Sequence, residues 1–250
     1  EGDTTFIKHK HFDVATDLAF INATNKLEIN RSEVYLEGAL FKMDGAVDFD
    51  NDMYLDLNFS GEKPNFDLFI AFAPNELIPT LKKYDNKGKV YFDAKVEGKS
   101  MNGHNPKVDA NFGCSEAYFA NSINKKKLDE LQFKGHFTNG EKRDISTMEF
   151  SLQNFSAKPE AGIFSGDLMV RNFAAPEIDL KLVSQFELDF LAKFLNVQDL
   201  EDLKGKVKLT MNFKDIIDLE HPERSIEKLN ESYYTELQVE DLGFRSPHYH

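Results

Sequence analysis

Residues 87–98 read KGKVYFDAKVEG, and residues 204–213 read KGKVKLTMNF. Each opens Lys-Gly-Lys-Val and then alternates. Val90, Phe92, Ala94 and Val96 fall on one parity, with Tyr91, Asp93, Lys95 and Glu97 on the other. In the second copy Val207, Leu209, Met211 and Phe213 alternate with Lys206, Lys208, Thr210 and Asn212. A period of two is the mark of a strand with one apolar and one wetted face. Upstream, PNFDLFI (64–70) is answered by PEIDLKL (176–182), and both copies carry a leucine-bearing stretch in between, NELIPTLKKYD and ELDFLAKFLNVQDLEDL. The expected unit is strand, short helix, glycine, strand, at 64–98 and again at 176–213. A sheet extended by adding similar units gives such a pattern.

The same alternation recurs along the chain. Strands are expected at 12–20, 33–41, 45–50, 53–61, 65–72, 89–98, 107–113, 117–121, 128–140, 146–155, 163–173, 177–186, 206–213 and 236–244. Turn signals separate most of them, among them Asp44-Gly45, Asn102-Gly103, Asn139-Gly140 and the prolines at 64, 106, 159 and 176. This order predicts an antiparallel meander. Helix is expected only in PNELIPTLKKYD (Leu77, Ile78, Leu81, Tyr84), in ELDFLAKFLNVQDLEDL (Leu188, Leu191, Phe194, Leu195, then Leu200 and Leu203), and weakly in PERSIEKLNES from Pro222. So little helix cannot cover so much sheet, and the sheet is expected to curl or fold over, enclosing either itself or something apolar.

Composition narrows the function. The chain has 250 residues, 41% of them hydrophobic, and reads as one elongated domain over 1–250. It carries 23 Phe and no Trp, a core-filling and strand-compatible bias. A formal net charge of -13, from 43 acidic and 30 basic residues, argues against a nucleic-acid partner. The basic run Lys125, Lys126, Lys127 reads as a solvated turn. Cys114 is the single cysteine, which precludes an internal disulfide, and no His lies near it. No apolar run approaches the roughly 18 residues of a membrane span. The start at Glu1 without Met leads us to expect an excised piece whose signal or anchor lay upstream.

The order FSGEKPNFDLFIAF, LIPTLKKY, KGKVYFDAKVEGK with NPKVDANF, the GHFTNG hairpin, then STMEFSLQNFSAKPEAGIFSGDLMVRNFAAPEIDLKL with FELDFLAKFL and LKGKVKLTMNF resembles the AsmA-like family of bacterial cell-envelope proteins, in its Bacteroidetes-type form. The resemblance runs from Gly38 to Lys214, and ELQVEDLGF looks like the opening strand of a further repeat. It implies a long, curved antiparallel sheet of the β-groove class with an apolar concave face and a few short helices. It also implies a periplasmic location, with the full-length protein anchored in the inner membrane. The implied role is non-enzymatic: moving phospholipid or another acyl-chain lipid between the two membranes, with envelope proteins as further partners and no cofactor. The chain would be a C-terminal-region fragment without its anchor.

The expected lipid-lining set is the apolar parity: Leu55, Leu57, Phe59, Phe66, Leu68, Ile70, Val90, Phe92, Val96, Phe133, Phe150, Leu152, Leu168, Val170, Ile178, Leu180, Leu182, Val207, Leu209, Met211 and Phe213. The bland alternative is a closed β core packed on itself, in a structural or assembly scaffold that uses its edge strands and carries no lipid. A glycan-binding β-domain is disfavoured by the absence of Trp. Other chemistry is thin. His9 with His11 and His248 with His250 have metal-ligand spacing but no further cluster, and Asp48 with Asp50 or Glu201 with Asp202 read as solubilising pairs. No phosphate loop, nucleophile elbow or zinc signature is present.

Overall fold

The computed structural model describes residues 10–37, 39–70, 78–196, 201–216 and 234–245. A 12-stranded antiparallel sheet runs through them in sequential order. Its strands are β1 (Phe12–Ile21), β2 (Lys26–Leu36), β3 (Ala39–Asp48), β4 (Tyr54–Lys63), β5 (Tyr84–Lys99), β6 (Lys107–Asn121), β7 (Lys127–Thr138), β8 (Glu149–Pro159), β9 (Ile163–Arg171), β10 (Glu177–Glu187), β11 (Glu201–Ile216) and β12 (Tyr234–Arg245). Each strand pairs with its neighbours in sequence, which short connections favour. The fold is mainly β and a meander, as the turn signals predict.

Among the described residues the sheet is open: β1 and β12 each pair there on one side only, so it neither closes nor curls onto itself as expected from the shortage of helix. Of three short helices, α1 (Asp67–Ile70) and α2 (Ile78–Leu81) lie between β4 and β5 in the chain and α3 (Leu188–Leu195) between β10 and β11, and partial cover comes instead from α1 and α3. β4 and β10 run in the same direction, so both helical inserts leave the sheet at the same end.

Several local expectations are corrected. NFDLFIAF (65–72) is not a strand: its centre is α1, and 71–77 lie outside the described residues. Pro64 has no N–H to give a ladder, and the amide of Phe66 donates to Asn86 Oδ1 at 2.9 Å. The amide of Ile70 then donates to the Phe66 carbonyl at 2.9 Å, closing a helical turn. EVYLEGALF (33–41) is two strands, because the chain reverses so that Leu36 pairs with Ala39. KVDANFG and AYFAN are one strand, β6, interrupted by a register shift between Cys114 and Ala117 where Glu116 has φ 50°. Leu203 belongs to β11, which begins at Glu201, while Leu200 and PERSIEKLNES lie outside the described residues.

The repeated glycine acquires a physical meaning. Gly88 and Gly205 sit at register shifts, between Lys87 and Lys89 in β5 and between Lys204 and Lys206 in β11. A Cβ on Gly88 would lie 2.3 Å from Ala117 Cβ, and one on Gly205 would lie 3.1 Å from Leu188 Cδ1 at the start of α3. In both copies the glycine of Lys-Gly-Lys-Val is a bulge position. At Gly205 φ is 136°, a conformation that suits only glycine.

The buried core lies under α1. Val34, Leu36, Ala39, Phe41, Val90, Cys114, Ala117, Leu131 and Ala157 from the sheet pack with Phe66 and Leu68. Leu68 is 0% exposed and lies beside Phe41 over Gly61, whose missing Cβ makes the room. Burying such a leucine contributes about 1.5–3 kcal/mol.

Candidate functional site

Residues paired across an antiparallel ladder share a face of the sheet. Gly61 pairs with Phe92, Phe92 with Phe112, Phe112 with Gly135, and Gly135 with Leu152. Leu152 pairs with Leu168, Leu168 with Leu180, and Leu180 with Phe213. One row without a charged residue thus crosses the sheet from β4 to β11. Shorter apolar rows lie beside it: Leu57, Val96 and Val108; Cys114 and Phe133; Phe137, Phe150, Val170 and Ile178; Leu182 and Met211. Leu55 and Phe59 share the parity of Leu57, and Val90 pairs with Cys114. Val207 and Leu209 pair with Phe186 and Ser184, on the parity of Leu182. Phe66, Leu68 and Ile70 belong to no strand row. They reach the same face from the other side, as part of the α1 layer.

Phenylalanine carries much of this surface. Rings meet edge to face or tilted between Phe41 and Phe92 (5.5 Å), Phe66 and Phe119 (4.5 Å), and Phe69 and Phe112 (5.7 Å), and Phe112 stacks on Phe150 (5.8 Å). Such pairs add about 0.5–1.5 kcal/mol each beyond area burial. The Phe112 ring lies where a Cβ on Gly135 would be, 2.1 Å from its Cε2, so the glycine is a seat for the ring.

Cover is uneven. At the helical end Val90, Cys114, Leu131, Ala157, Phe186 and Val207 are buried. At the opposite end Leu55, Leu57, Val96, Phe150, Leu168, Val170, Ile178 and Leu180 stay half-buried. That end is rimmed by a cleft of about 550 Å³ among Lys107, Asp109, Thr138, Glu149, Arg171 and Glu177, groups of both signs. The other face of the sheet is wet, with ion pairs such as Lys95 to Glu97 (2.7 Å) and Lys158 to Glu130 (3.2 Å).

α3 lies across the covered end and is held from a distance in sequence. Its terminal carbonyls accept hydrogen bonds from three side chains of β5, β6 and the β6–β7 turn: Phe194 from Asn121 Nδ2 (2.9 Å) and the Tyr84 hydroxyl (3.0 Å), and Lys193 from Asn124 Nδ2. Phe190 is buried and stacks on Phe194, which meets the Tyr84 ring at 5.1 Å. Lys193 first, and Lys126 after it, hold the Asp189 carboxyl below the usual carboxylate range. The stabilisation from Asp189 is therefore present above its ordinary pKa and fades as pH falls below it. Asn121 is buried, and its Oδ1 also accepts the Ile123 amide at 2.9 Å. Asn121→Ala leaves these groups unsatisfied, so we expect a loss of about 1–3 kcal/mol in urea unfolding and faster amide exchange in α3. Unchanged exchange in α3 would show that the clamp does not hold the helix.

The remaining sequence candidates resolve into ordinary roles or lie outside view. Burial pushes the Cys114 thiol up to about 12, so it is no nucleophile at neutral pH. Lys125, Lys126 and Lys127 face Asp85 (3.7 Å), Glu160 (2.7 Å) and Asp129 (2.8 Å), which neutralises the basic run locally. His11 is exposed beside Asp13 at 3.3 Å, whereas His9, His248 and His250 lie outside the described residues. Asp48 pairs with Lys26 at 3.5 Å, Asp50 accepts from Asn25 Nδ2 at 2.7 Å, and Asp202 meets Arg245 at 3.5 Å. The side chain of Glu201 is outside the described set. Among the described residues no three His, Cys, Asp or Glu converge as metal ligands, and no helix is long and apolar enough to cross a membrane. Among the described residues Ser184 Oγ is buried on the apolar face without a hydrogen-bond partner.

No family model, curated protein or solved structure matches this chain. The face itself is therefore what bears on function. Sequence reasoning missed part of it: Phe112, Phe137, Phe164 and Phe186, and the β1 to β3 rows with Phe12, Val14, Ile29, Val34, Phe41 and Val47. The same two-residue alternation marks most of these positions.

Proposed function

We propose that this chain is a lipid-binding, lipid-conducting segment of an AsmA-like envelope protein. In this reading phospholipid acyl chains move along the apolar sheet face in the periplasm, and the full-length protein is anchored in the inner membrane. The observation that carries the reading is the uncharged row from Gly61 to Phe213, whose residues Leu152, Leu168, Leu180 and Phe213 are only half-buried. Seven strand spacings from β4 to β11 make that row roughly 34 Å across, longer than one acyl chain. Each methylene withdrawn from water is worth about 0.8 kcal/mol, so two chains of about 30 methylenes cost on the order of 25 kcal/mol to expose. A smooth apolar row lowers that cost along a path without fixing the lipid at one point. The mixed charges around Lys107, Arg171, Glu149 and Glu177 offer head groups a polar rim beside the uncovered end.

The test is organic extraction and mass spectrometry of protein purified without detergent, against a mock preparation. Stoichiometric phospholipid is the expected result. A well-folded protein with none would leave the scaffold reading.

A further inference from the structure

A second cleft, of about 320 Å³, opens at the uncovered end of the sheet among Tyr54, Glu97, Lys99, Lys107 and Arg143. That volume is at the small end of ligand sites. These residues all lie in described segments: the strands β4, β5 and β6, and the loop that joins β7 to β8. Arg143, in that loop, is half-buried. Two contacts with the β5–β6 turn hold it. Arg143 Nη1 donates to the Asn105 carbonyl at 3.0 Å, and Asn105 Nδ2 donates to the Arg143 carbonyl at 3.3 Å.

The charges around the cleft do not balance. Lys99 is taken by Asp52 at 2.9 Å, and Glu97, the only carboxylate among the lining residues, by Lys95 at 2.7 Å and the Tyr54 hydroxyl at 3.1 Å. Among the described residues Lys107 and Arg143 form no ion pair, and Arg143 Nε and Nη2 donate to nothing. Two cations therefore line one cleft without a carboxylate of their own, on a chain of formal net charge -13. A guanidinium presents paired N–H groups that match two oxygens of a phosphate, and an ammonium beside it adds charge. Position matters as well. A Cβ on Gly98 would lie 3.1 Å from Arg143 Nη1, so the guanidinium lies against Gly98, which pairs with Leu55 and shares a face with Val96. The half-buried row Leu57, Val96 and Val108 runs beside it. A cation thus stands where the apolar surface ends.

We propose that Arg143 and Lys107 bind a phosphate ester in this cleft, the guanidinium spanning two of its oxygens and the ammonium adding charge. Taking that ester as the head group of a phospholipid, with its acyl chains on the row from Leu57 to Val108, rests on the lipid-conducting reading. The phosphate chemistry does not.

Amide shifts of the whole chain, followed by NMR, read the binding of three probes: dihexanoyl phosphatidylglycerol below its micelle concentration, glycerol phosphate, and dihexanoylglycerol, which lacks the phosphate. Both esters are expected to move the Gly98, Lys107 and Arg143 amides. Arg143→Gln should weaken both roughly tenfold or more, Arg143→Lys should weaken them less, and neither should alter the binding of dihexanoylglycerol. Lys107→Gln, at an exposed strand position, should weaken both esters several-fold at an unchanged thermal midpoint, which keeps the test decisive if Arg143→Gln disturbs its loop. Phosphatidylglycerol binding about tenfold tighter than glycerol phosphate marks a head group, whereas equal affinity keeps the site and makes its ligand a free phosphate ester. No shift with either ester, or affinities that Arg143→Gln and Lys107→Gln both leave intact, would overturn the proposal. A chain that binds glycerol phosphate but yields no lipid on extraction would end the conduit reading alone and uphold this site.

Discussion

Leu68→Ala is expected to lower the free energy of unfolding by about 3 kcal/mol, within the 2–5 kcal/mol range of buried leucine truncations. Leu68 is 0% exposed, and its methyl groups fill the hollow over Gly61 beside Phe41. α1 spans only Asp67–Ile70, too short to hold itself by helical propensity, so its place depends on this anchor. Urea unfolding followed by circular dichroism measures the change, with Leu195→Ala as the control. Leu195 is 54% exposed, so its truncation should cost no more than about 0.5 kcal/mol. Equal effects at the two positions would mean that α1 is not part of the cooperative core.

Leu180→Asp is expected to remove co-purifying lipid, by about tenfold or more, while the sheet stays folded. Leu180 lies in the middle of the uncharged row, paired with Leu168 on β9 and Phe213 on β11, and it is half-buried. An acyl chain crossing it would have to strip water from a carboxylate, which costs several kcal/mol. With no lipid present the carboxylate can reach water, because position 180 is only half-buried. Lys181→Asp, one residue along on the wet face, should leave lipid content unchanged. Leu209→Asp repeats the test on β11. If both inward variants unfold instead, the face is a dry core and the conduit reading falls.

Strand parity carried much of this surface but failed at bulges. Leu152 pairs with Leu168 and Phe155 with Gly166, so both lie on the apolar face although an odd number of positions separates them. Asn154, at φ 52°, takes up the extra residue. Arg31 (φ 48°) and Glu116 (φ 50°) occupy left-handed conformations next to similar shifts in β2 and β6. Neither an arginine nor a glutamate signals that conformation in a sequence, because the partner strand imposes it. At 65–72 the apolar run was too short for periodicity to separate strand from helix, and contacts with Asn86 and Gly61 decided it.

Alternation of side chains is a local property, so the sequence alone determined that the chain is mainly β, that it runs as a meander, and which residues within a strand face together. Joining those local faces into one surface depends on register, and covering it depends on helices whose anchors lie far off in the chain, as Tyr84, Asn121 and Asn124 do for α3. Whether the sheet closes or leaves β1 and β12 as edges is a matter of pairing between its two ends, which no short segment encodes. Only the tertiary structure decided those, because each is fixed by the balance of contacts between distant residues rather than by the preference of any one stretch.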